Sequence, residues 1–200
     1  MSEKLYISAQ ELLEDSWALA AKIIEDGFKP DYIIAIWRGG APIGISVQEM
    51  LAYWGINADH IAIRTSSYSG IDERSDEVRV HGLNYLIKNV NAEDSLLIVD
   101  DVFDTGLTIQ AVIAELRRKA RSNTPHDIRV AVPWYKPAHN RTDREPEYYV
   151  HTTERWLKFP HSLEGLTPAE IKTRRPELYE IIEPVLPAPV LPAPVLPADG

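Results

Sequence analysis

The chain has 200 residues, 44% of them hydrophobic, enough to close one medium-sized core with appendages. A net charge of −9 argues against a nucleic-acid-binding surface, which needs clustered Lys and Arg, but leaves room for a small basic pocket. With no cysteine there is no disulfide, no thiolate metal site and no Cys nucleophile.

Met1-Ser2-Glu3-Lys4-Leu5 lacks the apolar core of a signal peptide. No run approaches the roughly 20 apolar residues that span a bilayer. The expectation is a cytoplasmic protein with neither nucleic acid nor membrane as partner.

Leu5-Tyr6-Ile7 reads as a short edge strand. Ser8 and Glu11 form a capping-box pattern, and Leu12, Leu13, Trp17, Leu19, Ala20, Ile23 and Ile24 follow at helical spacing. Gly27 is placed to end that helix. Tyr32 to Ile36 reads as a buried strand ending in Trp37-Arg38-Gly39-Gly40, and Pro42 to Trp54 as a helix. His60 to Thr65 is another strand. The polar stretch 68–84 reads as a mobile loop with partial hairpin character.

Leu96 to Val99 is a continuous apolar run, as in a strand buried on both faces. Ile109 to Ala120 reads as a helix. Ile128 to Pro133 is the next strand, with Trp134 to Pro137 just past its end. Tyr148-Tyr149-Val150 is a short strand, followed by the segment from Arg155 to Ser162.

Strands alternate with helices, and polar or Gly-rich sequence follows the strands. This is the pattern of an α/β fold with a central, mostly parallel, twisted sheet flanked by helices. In such sheets ligands bind beyond the strand carboxyl ends. We assign residues 1–162 to the main domain and 163–184 to a helical C-terminal extension. There Thr167-Pro168-Ala169-Glu170 opens one helix and Pro176 a second, through Ile182. From Val185 to residue 200 the repeated Val-Leu-Pro-Ala-Pro favours polyproline II over a packed core, as a spacer or a docking peptide.

The most informative run is Leu96-Leu-Ile-Val-Asp-Asp-Val-Phe-Asp-Thr-Gly-Leu-Thr108. The strand ends abruptly in Asp100 and Asp101, which do not belong in a core unless paired or liganded. Asp104-Thr105-Gly106-Leu107-Thr108 is rich in hydroxyls and backbone N–H and leads into a helix. A polar turn at a helix N-terminus is a ready anion site. Paired acids beside it suit the vicinal hydroxyls of a sugar phosphate. A Walker A loop is excluded because the chain has no Gly-Lys-Ser/Thr. A calcium loop is disfavoured because Val102 and Phe103 occupy positions where acids should alternate. The plainer alternative is an acidic turn with Asp104 or Thr105 capping the helix.

This run resembles the 5-phosphoribosyl-1-diphosphate (PRPP) signature of the type I phosphoribosyltransferases. The resemblance spans roughly residues 5–162 and is nearest the bacterial and archaeal xanthine–guanine and hypoxanthine enzymes. It implies that Asp100 and Asp101 bind the ribose hydroxyls. It implies that Asp104, Thr105, Gly106, Leu107 and Thr108 form the 5-phosphate loop. Asp104 would be the general base. Arg38 and Gly39, about sixty residues upstream of the acids, resemble the diphosphate loop. Ser67, Tyr68 and Arg74 would belong to a flexible loop that closes over the site.

Lys136-Pro137 resembles the pair that reads the purine O6 atom, with a small C-terminal hood completing the base pocket. There Trp156 would stack on the base, the backbone near Leu157 would face its 2-position edge, and Phe159 would be a core aromatic. The resemblance further implies Mg2+, held by Asp101 with Asp100 as a second candidate, the substrates PRPP and a purine base, and a homodimer or homotetramer.

The implied activity is transfer of the phosphoribosyl group to a 6-oxopurine (hypoxanthine, guanine or xanthine) in purine salvage. The alternatives are a non-catalytic, PRPP-sensing regulator of nucleotide metabolism, or a transferase for a non-purine base. Two departures from the family pattern stand out. Leu107 replaces a frequent Gly or Lys, and His161-Ser162 lies where relatives often carry an acid.

Overall fold

The computed structural model describes residues 4–68 and 77–186. In chain order the elements are β1 (Lys4–Tyr6), α1 (Ala9–Glu25), β2 (Tyr32–Trp37), α2 (Gly40–Tyr53), β3 (Asp59–Tyr68) and β4 (Glu77–His81). They continue as α3 (Asn84–Asn89), β5 (Ser95–Val99), β6 (Val102–Phe103), α4 (Leu107–Ala120), β7 (Asp127–Tyr135), β8 (Tyr148–Thr152), β9 (Trp156–Lys158), α5 (Pro168–Arg174) and α6 (Pro176–Ile182).

Local signals set the first helix. The Ser8 hydroxyl accepts the Glu11 N–H at 3.1 Å and the Glu11 carboxylate accepts the Ser8 N–H at 2.7 Å, so two orphan donors are satisfied reciprocally. At the other end Gly27 adopts φ +74°, and the N–H groups of Gly27 and Phe28 donate to Ile24 and Ile23. That paired bonding ends the helix on a residue without a Cβ penalty.

The main sheet runs β4-β3-β2-β5-β7, with β4 its antiparallel member. Both β6 and β8 pair in parallel with β7. Register explains the acids. Val99 pairs with Ala131 and Val102 with Trp134, so β5 and β6 form one line along β7, interrupted only by Asp100 and Asp101. Pro133, which has no N–H to give, stands opposite the break. A separate two-stranded parallel sheet joins β1 to β9.

The sheet has a core on each face. Leu96 and Ile98 pack with Ile109, Val112, Ile113 and Leu116 of α4. Leu97 and Val99 pack with Leu19 and Ile23 of α1 and with Ile43, Val47 and Leu51 of α2. The uninterrupted apolar run of β5 is thus apolar because both its faces are covered.

The chain divides into two compact units, residues 1–162 and 163–200. In the second, a Thr167–Glu170 capping box opens α5, and α6 follows at Pro176. Among the described residues no helix is long and apolar enough to cross a membrane.

Several boundaries differ from the sequence expectation. The stretch 68–84 contributes strand β4 and the start of α3, because residues 64–68 pair with 77–81. Strand β7 runs on through Trp134 and Tyr135, since β6 and β8 flank both residues. Helix α4 begins at Leu107, two residues early, and its N-cap is Gly106 rather than Asp104 or Thr105. Arg74 and the repeats from 187 onward lie outside the described residues.

Candidate active site

The parallel strands β2, β5 and β7 end on one side of the sheet, and three loops meet there. The loop after β2 carries Arg38 and Gly39, with a cis peptide bond between Trp37 and Arg38. It presses against the acids that follow β5. A Cβ on Gly39 would fall inside the Asp101 carboxylate, and one on Gly40 would overlap the Val99 carbonyl oxygen. The sequence suggests close approach of this backbone to a ligand. The approach seen is to the acidic signature itself, which ties the two loops into one unit.

Asp100 is the more enclosed acid. Its Oδ1 accepts the Asp101 N–H at 3.0 Å. Burial first, and then the neighbouring Asp101 carboxylate, hold it well above the usual carboxylate range, although N–H groups of Asp101 and Gly40 oppose that shift. Asp101 is one-fifth exposed, and its Oδ2 lies 3.6 Å from His161 Nε2. The His161 ring stacks on Phe159, which is core as expected, with centroids 5.5 Å apart. So the residue that departs from the family pattern faces the very acid expected to hold metal.

No group of three or more His, Asp or Glu side chains among the described residues is arranged to hold a metal ion. Mg2+ is nonetheless commonly held by one or two carboxylates together with substrate phosphates and water. Asp101, partly exposed and beside Asp100, fits that donor pattern.

Three residues on, Asp104 turns toward the end of β7. Its Oδ2 accepts from Lys136 Nζ at 2.9 Å and its Oδ1 lies 2.8 Å from His139 Nδ1. Burial pushes the Asp104 carboxyl up, but the hydrogen bonds from Lys136 and His139 and their charges outweigh it. It therefore rests below the usual carboxylate range. Lys136 is 7% exposed, a position that lysine holds only when paired. The backbone fixes this register: Lys136 N–H donates to Phe103 O at 2.9 Å and Arg141 N–H to Thr105 O at 3.0 Å.

Because Asp104 is engaged elsewhere, it does not cap α4. Gly106 begins the helix at φ +77°, and a Cβ there would meet Thr142 Oγ1 at 2.6 Å and the Phe103 ring at 2.9 Å. The Thr105 hydroxyl accepts the Leu107 N–H at 3.4 Å. Thr105, Leu107 and Thr108 are all partly exposed at this turn.

In β9, Trp156 is 57% exposed with Lys158 Nζ 5.3 Å from its ring centroid. The Leu157 side chain points into the core, so any part it has at a base pocket falls to its backbone. Ser67 and Tyr68 end β3, their backbones paired with Val78 and Glu77.

Two site neighbours escaped the sequence reading: His139 and Glu154. Each is an isolated polar residue in a loop, without a spacing that marks it. Only the folded contacts single them out.

A phosphoribosyl transferase domain model matches residues 6–167. A purine phosphoribosyltransferase from Pyrococcus horikoshii is similar in structure at TM-score 0.63 and 28% identity, over 82% of this chain and 97% of that one. A xanthine-guanine-hypoxanthine phosphoribosyltransferase from Helicobacter pylori is similar at TM-score 0.60 and 17% identity, over 78% and 92% of the two chains. A hypoxanthine phosphoribosyltransferase from Trypanosoma cruzi, complexed with IMP, is similar at TM-score 0.60 and 20% identity, over 76% and 77%. The last two likenesses speak for the fold. No curated protein sequence matches the chain. Sheet topology, the paired acids at the strand end and the family match agree: the chain belongs to the phosphoribosyl transferase domain family.

Proposed function

We propose that the chain transfers the phosphoribosyl group of PRPP to a 6-oxopurine, giving a nucleoside monophosphate and diphosphate. The observation that carries this reading is the buried Lys136 at the end of β7, paired with Asp104 beside the phosphate turn. The purine phosphoribosyltransferase from Pyrococcus horikoshii, 28% identical, supports the substrate class.

A lysine ammonium has three donors. One goes to Asp104, leaving two that can meet a purine O6 atom. A carboxylate has about four acceptor sites, and Asp104 uses two of them. The others can take the proton of the purine N7. The lone pair of N9 forms the bond to ribose C1′, and the pair of the broken N7–H bond stays in the ring and keeps it neutral. The C1′–O bond breaks and its pair leaves with diphosphate. The proton stays on Asp104.

Asp101 and Asp100 would bind the ribose hydroxyls, and fixed carboxylate charge there would stabilise the cationic character that develops at C1′. The turn from Thr105 to Thr108 would hold the 5-phosphate with backbone N–H groups at the start of α4. Arg38 and the backbone at Gly39 would hold the diphosphate. Trp156, with its exposed ring, would stack on the base beside the backbone of Leu157. Ser67 and Tyr68, at the end of β3, would border the site. Mg2+, held by Asp101 and substrate oxygens, would supply charge neutralisation for the leaving diphosphate.

The test is direct. Purified protein is incubated with PRPP, Mg2+ and each of guanine, hypoxanthine and xanthine, and nucleotide and diphosphate are measured. Formation of both from at least one base supports the reading. Tight PRPP binding without turnover on any base would replace it with a ligand-sensing role.

A further inference from the structure

Glu154, just past β8, reaches the short turn Pro137–His139 with both carboxylate oxygens. Its Oε1 accepts the Ala138 N–H at 3.2 Å, and its Oε2 lies 3.4 Å from His139 Nε2. His139 in turn meets Asp104 through Nδ1 at 2.8 Å. The three side chains form a line, Glu154 to His139 to Asp104. The turn is anchored independently, since His139 N–H donates to Lys136 O at 3.1 Å and Lys136 N–H to Phe103 O at 2.9 Å.

We propose that His139 is a positioning residue for the transfer reaction: its Nδ1 holds Asp104 Oδ1 while Lys136 holds Oδ2, and Glu154 holds the Pro137–His139 turn through the Ala138 N–H. This rests on the reading of Asp104 as the base.

A carboxylate held at one oxygen can swing about its Cβ–Cγ bond. Held at both oxygens, it presents its remaining lone pairs in a fixed plane. Proton transfer needs heavy atoms within about 2.6–3.2 Å, so a fixed plane matters. With Asp104 ionised, His139 Nδ1 carries the proton it donates. An ordinary exposed pair of this kind contributes little to stability. The groups facing Asp104 are Lys136 and His139, and the group facing His139 from the far side is Glu154. Losing His139 removes one of the two hydrogen bonds that lower the Asp104 carboxyl.

The variants are His139→Ala, His139→Asn and His139→Gln. An asparagine amide can occupy the place of Nδ1, and a glutamine amide that of Nε2. In the Ala and Gln variants kcat should fall about tenfold with the KM for PRPP unchanged. The acid limb of the kcat–pH profile should move to higher pH. His139→Asn should restore most of both.

A second readout needs no turnover. The carboxyl carbon of Asp104, assigned by its loss in Asp104→Asn, is titrated by NMR in the unliganded full-length protein. Its midpoint should rise in His139→Ala and return in His139→Asn. An active wild type with unchanged kcat and midpoint in His139→Ala overturns the inference alone, as does a shifted midpoint with unchanged kcat. A wild type inactive on every 6-oxopurine overturns the transfer reading, and the positioning role with it.

Discussion

Lys136 Nζ and Asp104 Oδ2 form an ion pair of 2.9 Å, joining the end of β7 to the turn that follows β6. The lysine proposed to read the base and the proposed proton acceptor are thus one unit. Substituting either changes both tasks.

Base selection should follow Lys136. Adenine offers an amino donor where 6-oxopurines offer an acceptor, and Lys136 has only donors. Sites that depend on one such hydrogen bond can discriminate by roughly 10⁴-fold. Wild-type kcat/KM for guanine or hypoxanthine should therefore exceed that for adenine by about that order, and Lys136→Met should narrow the gap. Steady-state kinetics on the base panel measure it. Equal turnover of adenine and guanine by the wild type would contradict the assignment.

The two loop glycines should fail in different ways. Gly40→Ala drives a Cβ into the Val99 carbonyl, and backbone cannot step aside easily. Overpacking of this kind typically costs about 1–3 kcal/mol, so denaturant melts should show a clear loss. Gly39→Ala meets the Asp101 side chain, which can rotate. It should fold with a smaller loss of stability but bind PRPP more weakly. Calorimetric titration with PRPP separates the two.

The fold was legible where its causes are local. The Ser8–Glu11 capping box, the Gly27 stop and the doubly buried run Leu96–Val99 each follow from neighbours in sequence. The acidic signature stood out because Asp100 and Asp101 break that run. What depends on long-range register was not legible. Trp134 and Tyr135 extend β7 only because β6 and β8 lie alongside. The contact of Gly39 with Asp101 joins loops about sixty residues apart. His139 carries no pattern of its own and gains meaning only from the carboxylates it meets.

Asp100 makes a pH prediction for the metal-free protein. Its folded-state pKa is raised by burial and by Asp101. A raised pKa contributes stability that is fully present below the unfolded value, near 3.9, and lost as pH rises through the folded value. Asp100→Asn has no such loss. The melting temperature of the variant minus that of the wild type should therefore increase from pH 4 toward neutral. A constant difference across that range would show that Asp100 is not held up in the folded state.

The C-terminal repeats offer no periodic apolar face to pack. Truncation after Pro184 should leave melting temperature and specific activity nearly unchanged. A large loss of either would show that the segment docks on the domain or on a neighbouring subunit.

Asp104 and Asp101 should respond differently to the same substitution. Asp104→Asn keeps size and much of the hydrogen bonding but cannot accept a proton. Asp101→Asn weakens the ribose and metal contacts, so PRPP affinity should suffer at least as much as turnover. General base catalysis is typically worth about 10²–10⁴-fold. The decisive measurement is kcat of Asp104→Asn with PRPP and a 6-oxopurine both saturating. The account predicts a fall of that order with PRPP affinity little changed. Near-wild-type turnover would contradict it and leave Asp104 as a structural link between the β6–α4 turn and Lys136.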